Sequence, residues 1–219
     1  MEHIQLSDGV SMEELDVQAL KIFEEKQTAF VNGFVKYQPS GQVDNENINR
    51  ISYYIKAFLK VLPRAFAKYE KTIVDMEVLE EDIWISSFPK CGTTWTQEMV
   101  WNIVNDLDFD RAKSEKLDRR IPFFELTAIT EDRHFDNFTA EEKSVNATLV
   151  ASVDFCKSLT TRPRILKTHL DFQMLPRQVK EKKPKIIYVT RNPRDAVVSY
   201  YNHWRVLEGF TGSKIKPIE

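Results

Sequence analysis

Twice in this chain a short apolar run ends in a tight turn and passes into a helical pattern. The first run is "DIWISSF" (82–88), stopped by Pro89. Behind it Met99, Val100, Ile103, Val104 and Leu107 recur at helical spacing and predict one buried helix face. The second run is "KIIYVT" (185–190), followed by a helical pattern at "PRDAVVSYYNHW" (193–204). A third stretch, "RILKTHL" (164–170), reads as a strand edge. Strands alternating with helices imply an α/β fold, a mainly parallel sheet flanked by helices. A chain of 219 residues is long enough for one such domain with a proper core.

The rest of the chain carries weaker signals. Residues 12–30 read as a solvated helix, with His3 in a loose terminus before it. Residues 33–49, with Gly33, Pro39 and Gly41, read as a surface loop, so 1–50 is an N-terminal helix and loop. Ile51, Tyr54, Ile55, Phe58, Leu59 and Leu62 predict a helix that Pro63 interrupts. The α/β core is expected over 82–219, within a single domain 1–219.

Charge and cysteine content narrow the function. Hydrophobic residues make up 42% and charged residues 29%, ordinary for a globular protein. The net charge is −2, so no global field favours nucleic acid or an acidic membrane, and any anion site must be local. The basic run "KEKKPK" (180–185) reads as a solvated turn before a strand. No apolar run approaches the ~20 residues of a membrane helix. The polar, acidic start lacks the pattern of a signal peptide, and the expected compartment is the cytoplasm. Cys91 and Cys156 neither make a disulfide framework nor build a zinc site alone.

The turn after the first run, "PKCGTTW" (89–95), has the chemistry of an anion cradle. A strand feeding a helix through a tight turn aims several N–H groups at one spot, and the helix dipole adds partial positive charge there. Gly92 permits close backbone approach, Thr93 and Thr94 bring hydroxyls, and Lys90 brings a full charge. Trp95 suits either core packing or a ligand ring. The order does not fit the G-x-x-x-x-G-K-[ST] loop of nucleotide triphosphatases. A plain solvent-facing turn is the alternative.

In the second unit, "YVTRNPRDAVVSYY" (188–201), Asn192 is a good N-cap, Pro193 a good first helical residue, and Asp195 suits the first turn. Arg191 at the strand end and Ser199 two helical turns later suit a phosphate, or else a solvated arginine on a capped helix. In "LKTHLDFQMLP" (166–176), His169 can take a proton near neutral pH, and Lys167 lies two residues before it on the same predicted strand face. An ordinary surface pair is the alternative. His134 sits in a polar loop.

These segments resemble the cytosolic sulfotransferases. "PKCGTTW" is similar to their P-K-S-G-T-T-W signature, with Cys91 in place of serine, a weak thiol donor for a strong hydroxyl. "RNPRDAVVSYY" is similar to R-N-x-[KR]-D-x-x-V-S-Y-Y, "KTHLD" to K-T-H-L-P with Asp171 for proline, and "RIPFFEL" (120–126) to R-x-P-[FW]-x-E. The resemblance implies a P-loop-like sulfotransferase fold. It implies 3′-phosphoadenosine 5′-phosphosulfate (PAPS) as sulfuryl donor and adenosine 3′,5′-bisphosphate as product, with no metal. Lys90, Cys91, Gly92, Thr93 and Thr94 would then wrap the 5′-phosphosulfate, Trp95 stack on the adenine, and Arg191 and Ser199 bind the 3′-phosphate. His169 would be the catalytic base, with Lys90 and Lys167 beside it. Phe123, Phe124 and His203 would line a pocket for a small hydroxyl acceptor.

The family's later R-K-G-x-x-G-D-W-K segment and its dimer segment have no counterpart here. The expected fold is therefore C-terminally incomplete, and a homodimer lacks its usual segment. Two other classes stay open. One is a phosphotransferase, which would need a Walker lysine and a magnesium partner. The other is a non-catalytic relative that binds nucleotide or small ligands.

Overall fold

The structure, a computed structural model, describes residues 3–5, 11–14, 34–38, 60–63, 66–130 and 138–211. The chain forms two compact units, one of Met1–Lys71, Ala128–Glu131 and Glu208–Glu219, the other of Thr72–Thr127 and Asp132–Leu207.

The first unit holds a four-stranded antiparallel sheet of β1 (His3–Gln5), β2 (Ser11–Glu14), β3 (Phe34–Gln38) and β4 (Lys60–Pro63), in that order. Four expectations are corrected here. His3 lies in a strand rather than a loose terminus. Residues 12–14, expected to open a helix, pair with β3. Residues 34–38, expected as loop, form the strand between β2 and β4. The physical reason is visible in "FVKYQ", whose aromatic and β-branched residues suit a pleated surface better than a loop. Lys60–Pro63 is likewise strand, not helix end. Pro63 has no N–H to donate, and it sits on the edge strand, where that loss is tolerated. The remainder of 12–30, 39–49 and 51–59 lies outside the described residues.

The second unit is built on a parallel sheet in the order β6–β5–β7, with β5 at Ile83–Ser87, β6 at Ile165–Thr168 and β7 at Lys185–Val189. Helices and turns cross over between the strands, as parallel pairing requires. All five residues of β5 are buried, which explains its unbroken apolar start. On one face Ile83, Ile85 and Ile165 pack with Trp101 and Ile121. On the other, Trp84 meets Phe124 edge to face with ring centroids 5.0 Å apart. Residues 122–124 run beside β6. Phe124 N donates to the Lys167 carbonyl and Lys167 N to the Pro122 carbonyl. Phe123 forms a parallel bridge with Lys167.

At the strands' starts, Arg164 grips Asp82 through Nε and Nη2 at 2.8 and 2.6 Å, both residues buried. This bidentate pair ties β5 to β6 at the end opposite the motif turns.

The helix after β5, Thr93–Val104, differs from expectation in the face it buries. Thr93, Gln97 and Trp101 point inward, with Val100 and Val104 packed against the core. Met99, Ile103 and Leu107, expected to be buried, are 56%, 72% and 56% exposed. The stripe of Met99 and Ile103 lies beside the face that carries Thr93, Gln97 and Trp101. Periodicity cannot say which one the sheet covers. The core chose the stripe carrying Trp101, whose ring also takes the Arg120 guanidinium at 4.6 Å.

Candidate active site

Parallel strands end together, so the turns after β5 and β7 leave the same edge of the sheet from neighbouring strands. In the first turn Lys90 and Gly92 both take left-handed backbone conformations, φ 68° and 101°, on either side of Cys91. For Lys90 this region is sparsely populated and costs about 1 kcal/mol or more. A Cβ added at Gly92 would meet no atom within 4 Å, so its backbone hand, not crowding, calls for glycine there. Alternation of backbone hand over successive residues turns N–H groups toward one point, an anion-binding concavity. Gly92 then caps the helix without any side-chain bond to its free N–H groups.

The side chains of this turn divide. Cys91 and Thr93 are buried, Thr94 is exposed, and Trp95 is 79% exposed. The Cys91 thiol therefore sits in packing. Trp95 stands out from the helix start instead of joining the core.

In the second turn Asn192 behaves as expected of a cap, its Oδ1 accepting from Arg194 N at 3.0 Å. Arg191 reaches back across the sheet edge, and its Nη1 donates to the Lys90 carbonyl at 3.2 Å. Phe88 of the first motif and Tyr200 of the second also touch, with centroids 5.9 Å apart. Ser199, half-buried, is on the same helix as Tyr200, Pro193–Thr211. The two motifs, about 100 residues apart, are thus in direct contact.

β6 brings the third group. The strand ends at Thr168, whose Oγ1 accepts from Leu170 N at 3.0 Å and turns the chain at His169. His169 Nδ1 lies 2.7 Å from the Ser87 carbonyl oxygen. A carbonyl only accepts, so Nδ1 carries the proton, and Nε2 holds the lone pair when the ring is neutral. The Ser87 hydroxyl is 3.2 Å from the same Nδ1. His169 N donates to Glu125 Oε1 at 2.6 Å, and Glu125 is only 1% exposed. After the histidine, Asp171, which stands where the resembled pattern has proline, caps a short 3₁₀ turn, Phe172–Met174.

Phe123 gathers the cluster. Its ring meets His169 edge-on at 5.0 Å and lies under Lys167 Nζ at 4.0 Å. Phe124, expected beside it in the pocket, is wholly buried against Trp84 instead. Neighbouring side chains on an extended segment point to opposite faces, so only one of the two phenylalanines can face the site. Burial pushes the Lys167 amine down, with Lys90 adding to the shift and Glu125 opposing it. His203, exposed on the helix Pro193–Thr211, is also held below its usual value, by burial first and then by Lys90 and Lys167. It therefore shares their field.

Two residues of this arrangement escaped sequence reasoning, Ser87 and Glu125. Glu125 is the acidic position of "RIPFFEL", where the phenylalanines drew attention. Ser87 is the last residue of an apolar strand, and nothing local marks it. Among the described residues no group of three or more His, Cys, Asp or Glu is placed to hold a metal ion, and no helix is long and apolar enough to cross a membrane. His134 lies outside the described residues.

The description "Sulfotransferase domain" matches residues 80–215, which include every one of these groups. The chain belongs to the sulfotransferase family. Among curated relatives of this sulfotransferase chain, luciferin sulfotransferase of Photinus pyralis is 43% identical over 148 residues, 66% of this chain and 39% of the relative. Sulfotransferase 1E1 of Homo sapiens is 33% identical over 144 residues, 66% of this chain and 42% of the relative. The chain thus spans about two fifths of the length of the curated relatives it matches. Among solved structures, a retinol dehydratase in complex with retinol and PAP superposes with a TM-score of 0.70 at 24% identity, covering 92% of this chain and 57% of that one. That likeness establishes a shared fold.

Proposed function

We propose that this chain takes part in transferring a sulfuryl group from PAPS to the hydroxyl, or amine, of a small acceptor such as a phenol, alcohol or steroid, in the cytoplasm. The observation that carries the proposal is the 3.2 Å hydrogen bond from Arg191 to the Lys90 carbonyl. It draws two cationic turns to one edge of the sheet, within reach of a single nucleotide with anionic groups at both ends. The left-handed pair Lys90 and Gly92 suits the phosphosulfate end of such a donor. The relative named luciferin sulfotransferase supports a small-molecule acceptor.

Each residue has a role in this reading. Lys90, Gly92, Thr93 and Thr94, with the backbone of Cys91, hold the 5′ end. Arg191 and Ser199 hold the 3′-phosphate, and exposed Trp95 lies along the adenine. Bound PAPS supplies an activated sulfur and a stable leaving nucleotide. His169 removes the acceptor's proton through Nε2, and the Ser87 carbonyl steadies the imidazolium that forms. Lys90 neutralises charge developing on the oxygen that leaves sulfur. Lys167 and Phe123 wall the acceptor side, with His203 at its margin.

Two measurements test this. Calorimetry with adenosine 3′,5′-bisphosphate asks whether the donor site exists, and a sulfuryl-transfer assay to a phenol asks whether it works. Binding together with transfer is expected. His169→Ala should then lower turnover roughly 10²-fold or more with nucleotide affinity retained. Absence of nucleotide binding would overturn the reading. The alternative reading is a nucleotide-binding module without catalysis. Binding without transfer would select it.

A further inference from the structure

We propose that the Ser87 hydroxyl is a positioning group that links the donor turn to the catalytic histidine, so that a bound donor steadies the proton on His169 Nδ1. The inference rests on the function proposed above and concerns a residue to which that function assigns no side-chain role.

The geometry is a row of three polar atoms. Thr93 Oγ1 and Ser87 Oγ are 2.5 Å apart, and Ser87 Oγ is 3.2 Å from His169 Nδ1. Ser87 and Thr93 are 3% and 5% exposed, so water does not compete freely for these bonds. The directions of donation follow from chemistry. His169 Nδ1–H points at the Ser87 carbonyl at 2.7 Å, with Ser87 Oγ as a second, longer acceptor. Ser87 Oγ, receiving from the ring, is left to give its own hydrogen to Thr93 Oγ1. Thr93 can then aim its hydrogen outward, at an anion held in the turn. A negative charge there fixes this order along the whole row, and each bond polarises the next. Nδ1–H then faces an acceptor backed by negative charge, which favours the protonated ring.

Several charged groups besides the row act on His169. Glu125 holds its backbone N–H, Lys167 stands over the Phe123 ring that His169 meets edge-on, and Lys90 acts on both Lys167 and His203; positive charge in this neighbourhood opposes an imidazolium. Arg191, bonded to the Lys90 carbonyl, adds to that opposition. A nearby phosphate also acts through space on the imidazole. That direct effect does not depend on Ser87, which separates the two contributions.

The experiment is an NMR titration of the His169 ring with and without saturating adenosine 3′,5′-bisphosphate, in wild type, Ser87→Ala, Ser87→Thr and Thr93→Val. In wild type the nucleotide should raise the titration midpoint by about one pH unit. Ser87→Ala and Thr93→Val should each lose a large part of that rise, and Ser87→Thr should keep it. Calorimetry on the same samples confirms saturation, and ring shifts away from the site confirm folding. A rise of equal size in Ser87→Ala, or a loss in Ser87→Thr as large as in Ser87→Ala, overturns the link while leaving the donor site intact. Failure of wild type to bind the nucleotide overturns the function on which the link depends.

Discussion

Lys167 carries its charge where burial resists it. Its amine is pushed down by desolvation, with Lys90 adding to the effect and only Glu125 opposing. The sign of the linkage follows. Between the lowered folded value and the ordinary lysine value, the unfolded chain binds the proton and the folded chain does not, so stability rises with pH across that window. Below the folded value both forms are charged, and the folded state bears the cost of burial. Lys167→Met removes the group, so the variant's stability advantage should shrink as pH rises through the window. Urea midpoints of both proteins at a series of alkaline pH values check this, and a gap that stays constant would contradict it. His203 reports the same field from the other side. With Lys167 neutralised, its NMR titration should move up toward the ordinary histidine value.

Helix Thr93–Val104 shows how an element is chosen by what covers it. Trp101 is 3% exposed, lies in the core with Ile83 and Ile85, and carries the Arg120 guanidinium over its ring. Arg120 in turn holds Glu98 at 2.8 Å and the Glu115 carbonyl at 2.9 Å. Replacing Trp101 with alanine removes a large buried ring and should cost about 3–5 kcal/mol. Ile103, 72% exposed on the adjoining stripe, should tolerate serine within about 0.5 kcal/mol. Denaturant unfolding of the two variants distinguishes the observed helix face from the one that periodicity predicts. Equal losses would mean that Ile103 is covered in solution.

At the scale of the whole second unit, the three parallel strands have a structural end and a chemical end. At their starts the buried Arg164–Asp82 pair clamps β5 to β6. At their ends the turns of Lys90, His169 and Arg191 converge. Binding of adenosine 3′,5′-bisphosphate to this edge should therefore stabilise the whole unit, by about 2.7 kcal/mol at one hundred times its dissociation constant. Arg191→Ala should unfold near wild type without nucleotide and lose most of this gain at the same nucleotide concentration. Thermal melts with and without nucleotide measure both effects. An undiminished gain in Arg191→Ala would remove that side chain from the donor site.

Local chemistry made part of this protein legible. The apolar run of β5, the glycine at φ 101°, the cap at Asn192 and the strand carrying Lys167 each rest on neighbours a few residues away. The parallel core therefore followed from the residues themselves, and the resemblance of the motifs led to the family. What lay beyond reach depends on partners distant in sequence. Glu125 meets the His169 amide 44 residues on, and Ser87 meets its ring 82 residues on. Which of Phe123 and Phe124 faces the site, and which stripe of helix Thr93–Val104 is covered, follow from docking against β6 and β5. A sequence specifies the period of its side chains, because backbone geometry sets that locally. Only the packed structure selects the face, because burial is a property of what arrives from elsewhere in the chain.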